Sequence, residues 1–107
     1  MITISIKIKR ADKEIMVRDL ESIQDYPLSI DDFEKIIVYE MYLEILSKLR
    51  ASKHNDKAIR LNLCQVKVFL SYLRSYSKMG RYEMANAYLL FEQIKTEIKK
   101  KIITLIS

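Results

Sequence analysis

The 107-residue sequence predicts an α+β domain: an N-terminal β-hairpin packed on three main helices, the last two forming an antiparallel helical hairpin. Two observations carry this reading. Ile2, Ile4, Ile6 and Ile8 alternate with Thr3, Ser5, Lys7 and Lys9, the period of a strand with one face buried. Three later stretches instead repeat their apolar residues at helical spacing. A hydrophobic content of 50% is enough to bury a core, and the length fits one domain over residues 1–107.

Ile15 and Val17 continue the alternation beyond "RADK", so residues 2–18 read as a β-hairpin. Two strands alone are marginal in water, so the isoleucine face must lie on a helix or pair further. After "QDYPLS", which holds the only proline, Ser29 fits a helix N-cap, with Asp31, Asp32 and Glu34 where the helix dipole favours anions. A helix over about 30–51 follows. Its early apolar residues (Ile30, Phe33, Ile36, Ile37) and its later ones (Met41, Ile45, Leu46, Leu49 among them) point in nearly opposite directions, which predicts a helix clasped on two sides.

"ASKHNDK" reads as a loop, and residues 58–61, "AIRL", as a short third strand. The helix start at Leu63 is the best specified in the chain. Asn62 and Gln65 fit a reciprocal cap, and Leu61 with Val66 a hydrophobic staple. This helix, residues 63–79, places Leu63, Val66, Phe69, Leu70, Leu73 and Tyr76 on a buried face and Lys67, Ser71, Arg74 and Lys78 opposite. Gly80 suits the left-handed C-cap. The final helix, 82–105, carries a stripe through Met84, Ala87, Phe91, Ile94, Ile98, Ile102 and Leu105. Because it is longer than its neighbour, the apolar surface at Ile98, Ile102, Leu105 and Ile106 needs cover from another helix or another chain.

Around the only glycine, Tyr76, Gly80, Tyr82 and Ala85 resemble the turn of a tetratricopeptide repeat, with Phe69 and Leu89 at its large apolar positions. Leu73, Glu92 and Glu97 depart from that pattern, and no second copy follows, whereas stacked repeats need about three. The stretch therefore reads as the bend of one helical hairpin. The segment "DLESIQDYPLSIDDFEKIIVYEMYLEIL" is similar to small uncharacterised proteins of bacterial mobile elements and phages. That resemblance implies an accessory or regulatory interaction protein and assigns no residue a role.

Net charge is +5, unevenly distributed: residues 1–53 stand at −1 and residues 54–107 at +6. Between Asp19 and Glu44 there are eight acids and one base, Lys35. Glu40 and Glu44 share a helix face, but Lys48 lies four residues beyond Glu44, so the group reads as a solvated ion-pair face. The only histidine, His54, sits in the predicted loop. Cys64 reads as small, inert and half-buried, and a single glycine excludes glycine-rich phosphate loops. No catalytic, metal or cofactor residue is expected.

With one cysteine no intramolecular disulfide can form, and the first residues alternate where a signal peptide would run continuously apolar, so the expected compartment is the cytoplasm. The expected function is a non-enzymatic interaction module, a homodimer or adaptor, docking through Ile98, Ile102, Leu105 and Ile106. The alternative is a small nucleic-acid-binding regulator using Lys67, Arg74, Lys78 and Arg81, with nearby tyrosines as stacking platforms. The lysines at 95, 99, 100 and 101 are expected to complement the final helix dipole.

Overall fold

The alternating isoleucines do form a strand, but the segment expected to pair with it is a helix. In a computed structural model, which describes residues 2–23, 33–78 and 87–106, the elements are β1 (Thr3–Ile6), α1 (Arg10–Ile23), α2 (Phe33–Ser52), β2 (Ile59–Asn62), α3 (Leu63–Lys78) and α4 (Ala87–Ile106). The α+β class holds. The hairpin over residues 2–18 does not form, and four helices stand where three were expected. The partner of β1 is β2, the short third strand read in residues 58–61.

Local chemistry explains the change. "RADK" lacks the Asn-Gly or Gly-containing pair that a tight hairpin turn demands. Ala11, Lys13, Glu14, Met16, Arg18, Leu20 and Glu21 are all good helix formers. Lys13 N–H donates to the Lys9 carbonyl at 3.0 Å, closing the first helical turn. The buried residues Lys13, Met16, Val17 and Leu20 follow helical spacing, i, i+3, i+4, i+7.

The chain divides into two compact units, Lys7–Ile59 and a second made of Met1–Ile6 with Arg60–Ser107. The first contains α1 packed on α2. Its core draws Met16, Val17 and Leu20 from α1 and Ile45, Leu46 and Leu49 from α2. Among the described residues the expected two-sided clasp of α2 is not seen. Burial is confined to its second half, while Phe33, Ile37 and Val38 are 75%, 56% and 40% exposed. The hairpin meant to cover them does not exist. The expected cap at Ser29 and the acidic first turn at Asp31 and Asp32 lie outside the described residues.

The ends of α1 and α2 are closed by the loop that follows α2. Asp56 Oδ1 accepts from Arg10 N–H at 2.6 Å, satisfying an amide at the start of α1. In return, the Lys13 ammonium donates to the carbonyls of Ser52, Asn55 and Lys57 at 3.1, 3.0 and 2.6 Å. Those oxygens belong to the last residue of α2 and the loop beyond it, where carbonyls have no helical partner. Lys13 is 0% exposed, a rare state for lysine and tolerable only because its three donors are used. Burial still pushes its pKa down, and Asp56 pulls it back up.

In the second unit β1 packs on α3 and α4, which pack on each other. Ile4, Ile6 and Leu61 are buried while Ser5 and Arg60 are exposed, as strand alternation requires. The start of α3 is as the sequence predicts. Gln65 N–H donates to Asn62 Oδ1 at 2.8 Å, Asn62 N–H donates to Gln65 Oε1 at 3.1 Å, and Leu61 and Val66 are both buried.

Val66, Val68, Phe69, Leu73 and Tyr76 of α3 and Leu90 and Ile94 of α4 form the core of this unit. Leu63, expected inside, is 42% exposed, and Leu70 is half-buried. The Gly80 turn and the first residues predicted for the final helix lie outside the described residues. At about 1.5 Å per residue, α3 and α4, of 16 and 20 residues, span roughly 24 and 30 Å. Among the described residues no helix is long and apolar enough to cross a membrane.

Candidate functional site

One side of α3, reaching from its exposed face to the core residue Val66, lines a groove with α4. From α3 come Leu63, Val66, Lys67, Leu70, Ser71 and Arg74, and from α4 Phe91, Lys95 and Ile98. The α3 set follows i, i+3, i+4, i+7, i+8, i+11, a continuous stripe about 16 Å long. The α4 set follows i, i+4, i+7. Together they enclose about 400 Å³, with aliphatic side chains and Phe91 below and Lys67, Arg74 and Lys95 around them.

The cations and the floor are physically joined. The Arg74 guanidinium carbon lies 5.9 Å from the centre of the Phe91 ring, and Lys95 Nζ lies 5.4 Å from it. Both distances allow a cation–π attraction, which holds the charges over the apolar surface. Among the described residues no acidic side chain lines the groove. Glu92 stands beside it, 3.8 Å from Lys95 on an exposed surface, where such a pair contributes little.

This arrangement brings together residues from both sequence-predicted sets. Lys67 and Arg74, read as nucleic-acid contacts, share the groove with Ile98, read as a protein interface. Lys78 is the last residue of α3 and Ile102, Leu105 and Ile106 continue α4, but their side chains, like all of Arg81, lie outside the described set. What sequence reasoning missed is the merger. It placed Leu63 and Leu70 on a buried face and Lys67 and Arg74 opposite, whereas the boundary between those faces is one wall of the groove. The spacing of Leu63 to Lys67 and Leu70 to Arg74, four residues in each case, was the available signal.

Of the tyrosines read as stacking platforms, Tyr72 and Tyr76 are engaged in the fold, Tyr88 is 64% exposed, and Tyr82 lies outside the described residues. Tyr76 is buried, and Tyr72 is held between Phe69 and Tyr76, with ring centres 6.3 and 6.2 Å away. Lys99, Lys100 and Lys101 do not complement the dipole of α4 as expected, because the helix runs to Ile106 and its last turn carries no basic residue. Cys64 is exposed, not half-buried, since the second residue of α3 faces away from the core begun by Gln65 and Val66.

Elsewhere, a cleft at the start of α1 is lined by Lys7, Lys9, Arg10, His54 and Asp56, but the Asp56 carboxylate already holds the α1 amide that an anion would seek. Among the described residues no three His, Cys, Asp or Glu side chains gather as a metal site would require. No family model, curated protein or solved structure matches the chain.

Proposed function

We propose that the protein is a non-enzymatic interaction module whose α3–α4 groove docks an acidic amphipathic helix of a protein partner. The observation that carries this reading is the groove itself, three cations and an aliphatic set with no acid among its described lining residues. A helix laid into such a groove buries its apolar residues below and presents carboxylates to Lys67, Arg74 and Lys95. Association through exposed charges of this kind is fast and sensitive to salt. The resemblance to small mobile-element and phage proteins supports an accessory or regulatory role. A free, exposed Cys64 suits a reducing compartment, so the cytoplasm is the proposed location.

Nucleic acid is the competing ligand. The aliphatic floor, with Phe91 the only aromatic side chain among its described lining residues, favours a helix over stacked bases. The test is fluorescence anisotropy with two labelled probes, a synthetic helix of Glu, Leu and Ala and a mixed-sequence single-stranded oligonucleotide. The helix should bind in low salt, and Arg74→Glu should weaken it by about tenfold or more, roughly 1.4 kcal/mol. Binding of the oligonucleotide alone, lost in the same variant, would replace this reading with the nucleic-acid one.

A further inference from the structure

The strongest unpartnered apolar surface outside the groove is the first half of α2. Phe33 and Ile37 are among the most exposed large apolar residues described. At about 100° per residue they share a face with Glu40 and Glu44, so positions 33, 37, 40 and 44 form one stripe. Its spacing, i, i+4, i+7, i+11, is that of Leu63, Lys67, Leu70 and Arg74 along the groove wall. One stripe is apolar and acidic, the other apolar and basic, and both are about 16 Å long. They lie in different compact units, the acidic one in a stretch of eight acids and one base and the basic one in the half of the chain with net charge +6.

We infer that the acidic helix the groove takes is the first half of α2 from a second copy of this chain. The inference rests on the docking function proposed above and names its partner. Each copy carries one groove and one α2 stripe, so reciprocal exchange between two copies covers both surfaces of each. That reciprocity gives a closed twofold dimer. Charge complementarity selects the partner, since Glu40 faces Lys67, Arg74 or Lys95 and no acid among the described lining residues opposes it.

Sedimentation velocity on the full chain, over a concentration series in low and high salt, tests this. The wild type should sediment at twice the chain mass in low salt and at the chain mass in high salt. Ile37→Asp and Arg74→Glu, both at exposed positions, should each be monomeric with unchanged circular dichroism and thermal melting. An equimolar mixture of the two variants should associate again, because one intact groove then meets one intact stripe. A wild type that stays monomeric at every concentration in low salt overturns the inference, as does a dimer that survives both substitutions or a mixture that fails to associate. The docking function fails separately. A monomeric wild type that still binds the synthetic acidic helix leaves that function standing with a partner other than itself.

Discussion

The start of α3 and the start of α1 meet the same requirement, backbone amides with no partner inside the helix, with side chains drawn from very different distances along the chain. At α3 the partners, Asn62 and Gln65, are three residues apart and satisfy one another. At α1 the acceptor is Asp56, 46 residues away, and the far side of the same loop is held by Lys13, 39 to 44 residues from the carbonyls it binds. A local cap stabilises its helix whatever else is folded. The long-range clamp exists only once α1, α2 and residues 53–58 have come together, so it ties their stability into one cooperative step.

Breaking the clamp should therefore cost much more than breaking the box. Lys13→Met keeps most of the buried hydrocarbon but leaves three carbonyls without a donor. Each hydrogen bond to a charged group contributes about 1.5–3 kcal/mol, so a loss of roughly 3–5 kcal/mol in urea unfolding is expected after partial relaxation. A change below about 1 kcal/mol would mean that water replaces the ammonium freely. The double variant Asn62→Ala, Gln65→Ala should lose about 1–2 kcal/mol, the usual worth of a cap and its reciprocal partner. Hydrogen exchange would show where each loss falls: amides of both α1 and α2 for the clamp, amides in the first turn of α3 for the box.

The smallest effect sharpens the electrostatic side of the comparison. Burial pushes the Asp12 carboxyl, in the first turn of α1, above its usual range, with Lys9 acting in the opposite direction. Its folded-state pKa therefore exceeds 3.8, the ordinary value. The stability this group contributes is present in full below that ordinary value and is lost as pH rises through the folded one. Relative to Asp12→Asn, the wild type should be less stable at pH 6 than at pH 3. Urea midpoints of both proteins at both pH values would measure the difference.

The same contrast explains what could be read in advance. The box and staple at α3 were legible because all their members fall within six residues. The isoleucine strand was legible because its period is local, and its partner was partly so, in "AIRL". Helix α1 was misread because Ile15 and Val17 happen to alternate and because a lysine occupies one position of its buried stripe. Composition rules place lysine in solvent, and nothing near Lys13 announces three carbonyls from beyond residue 51. For the groove, Lys67 and Arg74 were read as lying opposite Leu63 and Leu70, whereas all four line one wall. Whether the line between polar and apolar faces lies in solvent or walls a groove depends on where α4 packs, which no local pattern encodes.

The pairing of β1 with β2 has a consequence for the chain during its synthesis. β1 is made before its partner, which follows the whole of α1, α2 and the loop after them. Closing so long an excursion carries an entropic cost that grows only slowly with length, but contacts this distant in sequence form late. Until then an isoleucine-rich strand waits with both edges open, the condition in which chains pair with the wrong neighbour. Lys7 and Lys9, just after the strand and exposed in the folded protein, put charge beside that segment. Charge so placed discourages an open strand from pairing with the wrong neighbour.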